Sequence, residues 1–357
     1  MHRTLRLAVT CLVLAAGIAA AEDFRAVDAY WVLLHEPAAV AELKLTSAQR
    51  PRYQELLDSF DLRFFPYRNK PREEAEAGVT KLVDEVRAEM RDLLTARQQE
   101  RLSQLTLRRL GMSSMLQADV VAALKYTTAQ RTKIETLLGD LQTSLADLEK
   151  RVQAGETREP LDKKYKDVQA TAQKKLLQTL KPAQQTTWQA LLGPDVDPGK
   201  YGQPVYKVPE LITTDGWINS NGLKLADLRG KVVVVHFYAC GCINCIRNYP
   251  WYRAWHEKFP PEDFVLIGIH SPETSAEHNL DHVRQKATEE QLNFPILLDD
   301  KSANWKAWGN SMWPSVYVID RDGYLRHFWP GELNWQGNNG EKVMRERIET
   351  LLKKKAR

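Results

Sequence analysis

Two kinds of hydrophobic spacing divide this chain. From Glu22 to about Leu192, apolar residues recur every three or four positions among Leu, Ala, Gln, Glu, Lys and Arg, with little glycine, which predicts amphipathic helices. The clearest stripe is Leu137, Leu138, Leu141, Leu145, Leu148 and Val152. After residue 212 the apolar positions gather into short runs instead. Residues 231–237 and 264–269 read as buried strands joined in parallel by a crossover helix, 243–259. Residues 277–291 read as a further helix, 316–319 and 324–328 as a hairpin around Asp320-Arg-Asp-Gly323, and 341–354 as a closing helix. Residues 217–223 read as a small hairpin through Asn221-Gly222, a pair suited to a type I′ turn. Between the halves, Gly193, Pro194, Pro198, Gly199, Gly202, Pro204 and Pro209 mark a linker. The expected architecture is therefore two domains. An all-α domain spans 22–192, a linker 193–211, and an α/β domain with a central mixed sheet flanked by helices 212–357.

Four segments of the helical half share a start: Leu45-Thr-Ser-Ala-Gln49, Leu94-Thr-Ala-Arg-Gln98, Tyr126-Thr-Thr-Ala-Gln130 and Leu180-Lys-Pro-Ala-Gln184. In the first three, threonine precedes glutamine by three residues, the spacing of a reciprocal capping box. The fourth has Lys181 instead, with Pro182 where the first helical residue needs no amide hydrogen. These starts resemble the L-T-x-x-Q motif of extracytoplasmic helical proteins related to the Spy and CpxP chaperone and stress-sensor family. The resemblance implies either a spacer that docks a protein partner or a surface that holds unfolded clients. Tyr30, Trp31, Phe60, Phe64 and Phe65 would line such a surface, although aromatics at this spacing equally suit a core.

The first residues carry a different signal. His2, Arg3 and Arg6 precede an apolar stretch, 7–18, and Ala19-Ala20-Ala21 offers a cleavage site. Residues 1–21 are thus expected to be a cleaved signal peptide, with the mature protein soluble and exported to the periplasm or an equivalent extracytoplasmic space. The apolar stretch is shorter than the roughly 20 residues a membrane span needs. Cleavage would remove Cys11 and leave three of the four cysteines, Cys240, Cys242 and Cys245, crowded together. A structural disulfide framework spreads its cysteines, so this clustering points to a reactive site. The net charge of +4 is mixed in sign, and Lys353-Lys-Lys355 is a solvated end, so no nucleic-acid partner is expected.

The cysteines lie in Cys240-Gly-Cys-Ile-Asn-Cys245, between the apolar run ending at Phe237 and an expected helix. Strand, Cys-x-x-Cys, helix is the layout of a dithiol redox site, because a helix N-terminus stabilises a thiolate on the first cysteine. The second sulfur would lie one turn inside. No cofactor beyond the cysteine pair, and no resident metal, is expected. The surrounding motifs are Leu225-Ala-Asp-Leu-Arg-Gly-Lys231, Phe264-Val-Leu-Ile-Gly-Ile-His-Ser-Pro-Glu273, Phe294-Pro-Ile-Leu-Leu-Asp-Asp300 and Trp313-Pro-Ser-Val-Tyr-Val-Ile-Asp320. Together they are similar to the TlpA-like extracytoplasmic thioredoxins, and most of all to the thioredoxin domain of DipZ-type proteins, which share Cys-Ile-Asn-Cys and a Trp-Pro before the fourth strand. The resemblance implies a thioredoxin fold and thiol-disulfide exchange. Cys242 would be the nucleophile, Cys245 the resolving thiol, and Pro314 the family's cis-proline. Asn244 and Trp313 are auxiliary candidates by the same motifs. Pro250 matches a helix-kinking proline. The implied partners are exported proteins bearing disulfides, and a membrane electron carrier or other thiol donor.

Three positions depart from that family. Cys240 and Gly241 precede the nucleophile where a tryptophan is common, and Cys240 would be either a passenger or a trap for oxidised Cys242. His236 stands where thioredoxins often bury an aspartate; it would be a proton acceptor for Cys245 or a core histidine. Asn248 replaces an acid found in some members. Competing readings use the same residues. A peroxiredoxin-like peroxidase needs a threonine three residues before its cysteine, and Phe237, Ala239 and Cys242 occupy those positions. A copper-binding protein of the Sco kind would draw on the three cysteines with His270 or His327. A scaffold would use the fold without redox catalysis.

Overall fold

The computed structural model describes residues 29–354 apart from 69, 71, 155, 198–200, 203, 214 and 215. The expected signal peptide, 1–21, lies outside the described residues. Among the described residues nine α-helices come first: α1 (Ala29–Leu34), α2 (Pro37–Glu42), α3 (Gln49–Phe64), α4 (Arg72–Leu93), α5 (Ala96–Leu110), α6 (Ala118–Leu124), α7 (Thr128–Gln153), α8 (Arg158–Thr179) and α9 (Pro182–Leu192). Then follow β1 (Tyr206–Lys207), β2 (Trp217–Ile218), β3 (Val232–Tyr238), α10 (Ile243–Ile246), α11 (Tyr249–Lys258), β4 (Phe264–His270), α12 (Leu280–Glu289), β5 (Ile296–Leu298), α13 (Ala303–Ala307), β6 (Ser315–Ile319), β7 (Tyr324–Pro330) and α14 (Gly340–Leu352). The fold is the expected combination of an amino-terminal helical region and a thioredoxin-like mixed sheet flanked by helices. No described helix is long and apolar enough to cross a membrane.

Contacts divide the described residues differently from the expected boundaries. One unit holds 96–201, and the other combines 29–95 with 202–354. The first helices therefore belong with the sheet rather than with the rest of the helical half. Side chains give the reason. Phe65, just past α3, is fully buried in the same apolar cluster as Val235, Phe237, Trp308 and Tyr317. Arg68 lies over the rings of Phe328, Tyr317 and Phe65 and donates to the Tyr317 hydroxyl at 2.5 Å. Asp61 of α3 accepts from the Lys207 amide on edge strand β1 at 2.7 Å and pairs with His35 at 2.7 Å. A composition shift at residue 192 carries no trace of these contacts. Tyr30, Trp31, Phe60, Phe64 and Phe65 are all buried, so they are core and line no client surface.

The expected helix starts form, and their glutamines do double work. The Gln49 side chain accepts from the Thr46 amide, and the Thr46 hydroxyl accepts from the Gln49 amide; Thr127 and Gln130 repeat this. Gln49 Nε2 also donates to the Leu93 carbonyl, Gln130 Nε2 to Thr179 and Gln184 Nε2 to Leu124. Each glutamine thus satisfies an orphan carbonyl at the end of another helix. Within 96–201, α7 packs against α8, and a core of Leu107, Met115, Val120, Ile134, Leu176 and Trp188 fills the base. Of the predicted stripe only Leu148 is buried; the others are half-buried along this pair.

The sheet has the order β1-β7-β6-β3-β4-β5-β2. β3 pairs with β4 in parallel and with β6 antiparallel, and the β6–β7 hairpin forms as expected. Residues 217–223 do not form a hairpin. β2 pairs with β5, while Asn219 adopts φ 59° and donates its amide to the Leu292 and Phe294 carbonyls. The helix expected over 243–259 breaks after Ile246, since Pro250 has no amide hydrogen to return to the Ile246 carbonyl. The one expected over 277–291 starts anew at Asn279, whose side chain caps α12.

Candidate active site

β3 is central and buried at every position, so its end is a fixed platform for the loop that follows. Cys242 occupies the position before the first residue of α10 and is half-buried; Cys245, inside the first turn, is fully buried. The Cys242 thiol is lowered from its ordinary value to about 7, chiefly by donation from the Cys245 thiol. Burial works against this, the Cys245 and Asn244 amides at the helix start add to it, and the Glu273 carboxylate opposes it. Cys245 is pushed far up by burial and by its bond to Cys242. One sulfur is therefore a thiolate near neutral pH, and its neighbour holds its proton. That pair can attack a disulfide and then resolve the mixed product.

Cys240 is oriented elsewhere. It is buried, and its thiol is pushed up to about 11 by burial first and by the nearby Glu277 charge second, with the thiol donating to that carboxylate. This geometry pairs Cys242 with Cys245 and leaves Cys240 protonated, which argues against the trapping role. Gly241 is explained by the same carboxylate. Its amide donates to Glu277 Oε1 at 2.6 Å, and a Cβ there would sit 3.0 Å from that oxygen.

His236 lies beneath the site with no partner for either ring nitrogen among the described residues. It stacks on Tyr252 with centroids 4.1 Å apart and meets Phe294 edge-on. No hydrogen bond joins it to Cys245, so the structure places it as a core histidine. Burial lowers its pKa to about 3, and burial with nearby Arg347 and Arg326 lowers that of His327 to about 3. An unfolded histidine titrates near 6.5, so between about pH 6.5 and 3 the unfolded chain binds more protons. Stability from these two groups is complete above that window and is lost as pH falls through it. The urea midpoint is expected to drop from pH 7 to pH 5, and less so in His236→Phe; equal midpoints in the parent chain would contradict this.

Pro314 follows a cis Trp313–Pro314 bond, one residue beyond the Phe237–Ser315 pair and thus beside the end of β3. Trp313 stacks on Trp305 at 4.0 Å and donates to the Ser271 carbonyl. Asn244 is half-buried, with Arg247 donating to it. Asn248 is structural: its amide donates to Tyr252, and its oxygen accepts from the Leu333 amide. His270, paired with Tyr238, ends β4 at the site, whereas His327 pairs with Val318, which lies opposite Val234, far along β3. The Sco-type set is therefore not assembled through His327. Glu273 and Glu277 are the residues that sequence reasoning missed. Thr274-x-x-Glu277 was a visible capping-box signal, and that box forms.

Residues 206–328 match the AhpC/TSA family model. The carboxy-terminal half carries a thioredoxin-fold domain of that family. The domain is 38% identical to Protein DipZ of Mycobacterium bovis over 127 residues, which are 35% of this chain and 18% of that protein. The chain thus spans under a fifth of the DipZ relatives it matches. It is also 26% identical to the thiol-disulfide oxidoreductase YkuV of Bacillus subtilis over 153 residues, 43% of this chain and 97% of that protein. A crystal structure of a thioredoxin-like superfamily protein aligns at a TM-score of 0.38 with 28% identity, covering 42% of this chain and 99% of that one.

Proposed function

We propose that this protein is an exported thiol-disulfide oxidoreductase that works as a reductase through Cys242 and Cys245. The reading is carried by one observation: an accessible thiol lowered to about 7 directly beside a fully buried, protonated one. Thiolate Cys242 attacks a substrate disulfide; the leaving thiolate takes a proton, and Cys245 then displaces the reduced substrate to leave the Cys242–Cys245 disulfide. A donor dithiol returns two electrons and two protons. The direction follows from the modest stabilisation of the thiolate. Strongly oxidising dithiols hold their nucleophile near pKa 3.5, whereas thioredoxin, a reductant, holds it near 7. Exposed Ile243 and Met312 flank the cysteines and the cis-proline, offering apolar contact to an unfolded or extended substrate.

Substrates are inferred to be disulfide-bearing exported proteins, fed by a membrane electron carrier or another thiol donor, with the 96–201 helices available to dock a protein partner. The test is insulin reduction driven by dithiothreitol. The chain is expected to accelerate it and to be slow in oxidising a reduced, unfolded substrate. Faster oxidation than reduction would overturn the direction. Consumption of hydrogen peroxide at a comparable rate would favour the peroxidase alternative.

A further inference from the structure

Beside the dithiol lies a second set of groups that thiol exchange does not use. Cys240 Sγ, a ring nitrogen of His270 and a carboxylate oxygen of Glu277 all lie within 4.8 Å of one another, and all three residues are buried. His270 is the telling member. It is fully buried, and neither ring nitrogen has a partner among the described residues, an arrangement that costs desolvation without return. Glu277 is held rigidly on its other side: Oε2 accepts from the Glu273 and Thr274 amides at 2.8 Å, and Oε1 from Gly241. The same carboxylate accepts from the Cys240 thiol. Three elements supply the set: the loop after β3, the end of β4 and the turn before α12.

We propose that Cys240, His270 and Glu277 bind a divalent cation of the zinc class, through one thiolate sulfur, one imidazole nitrogen and one carboxylate oxygen. The donor set selects the ion. A carboxylate disfavours Cu(I), a thiolate disfavours magnesium and calcium, and a mixed sulfur, nitrogen and oxygen set suits borderline Zn²⁺. Three protein ligands leave a fourth tetrahedral position for water. Zinc–ligand distances of about 2.0–2.3 Å place tetrahedral donors roughly 3.5 Å apart, so donors that all lie within 4.8 Å of one another need only a small closure on loading. Binding forms the zinc–sulfur bond and releases the Cys240 proton to solvent; nothing is oxidised or reduced. The ion would clamp Cys240-Gly241 to the turn at Glu277 and keep Cys240 out of disulfide exchange, while Cys242 and Cys245 face each other and remain free.

The test is Co²⁺ and Zn²⁺ titration of the full chain carrying Cys11→Ser, Cys242→Ser and Cys245→Ser, which leaves Cys240 as its one cysteine. One Co²⁺ per chain with a near-ultraviolet thiolate charge-transfer band, displaced by Zn²⁺, is expected. Cys240→Ser should abolish the band, and His270→Ala should weaken binding by at least about 100-fold. A missing band, or one unchanged by His270→Ala, would overturn the site. X-ray absorption of the zinc-loaded natural chain provides a readout free of variants: one sulfur at about 2.3 Å with nitrogen or oxygen neighbours is expected. Two sulfurs would mean that the dithiol holds the metal, which also overturns the proposal.

Discussion

A Cys242→Ser chain is expected to lose at least about 10³-fold in disulfide exchange, whereas Cys245→Ser should keep the first attack and accumulate a mixed disulfide with its substrate. The asymmetry follows from burial. Cys242 is the more accessible sulfur and Cys245 is fully buried, so in the proposed mechanism Cys245 acts only after a mixed disulfide brings electrophilic sulfur to it. Removing Cys245 also removes the chief donor to Cys242, so the remaining thiol should titrate above its present value of about 7 and alkylate more slowly at neutral pH. Cys240→Ser should exchange at nearly the parent rate, since that sulfur faces Glu277. Single-turnover kinetics with insulin, and mass spectrometry of trapped species, check all three. A Cys242→Ser chain that still turns over, or a mixed disulfide found on Cys240, would contradict the assignment.

Phe65→Ala is expected to destabilise the sheet-bearing unit by about 3–5 kcal/mol, although Phe65 lies far from the cysteines in sequence. The ring has no solvent exposure and packs edge-on against Trp308 at 5.9 Å and beside Tyr317 at 6.5 Å. Its loss leaves a cavity under β3 and β6 and weakens the seat of Arg68, whose guanidinium lies over three rings. The melting temperature should fall by roughly 10 °C. A fragment restricted to 212–357 should be less stable still, because it lacks Phe65, Arg68, the Asp61 acceptor and β1. Near-ultraviolet circular dichroism on heating tests both. A 212–357 fragment that melts with the full chain would show that 29–95 is dispensable.

The redox half was largely legible because its information is local. A buried run, a Cys-x-x-Cys and a Pro-containing helix follow one another within about thirty residues, and the capping signals at Thr46 and Thr127 are short-range hydrogen bonds. Grouping the elements was not legible. α3 shares the helical apolar spacing of α7, and its place beside the sheet rests on contacts with residues distant in sequence, those of Phe65 just past it with Tyr317 and Trp308 and that of Asp61 with Lys207. Asn221-Gly222 misled because a turn-prone pair specifies a reversal, not what pairs after it; Asn219 instead spends its side chain on the loop before β5. At the site, the cysteines announced themselves, whereas Glu273 and Glu277 matter through long-range proximity. His236 was noticed, but its neighbours turned out to be rings rather than a thiol.

Equilibration of the full chain in glutathione and dithiothreitol buffers, with the modified cysteines mapped by mass spectrometry, tests directly whether Cys242 and Cys245 form a redox pair. One reversible disulfide is expected, linking Cys242 to Cys245, with Cys240 reduced throughout and a potential nearer about −270 mV than −120 mV. The absence of a reversible disulfide, or one that includes Cys240, would contradict that pairing.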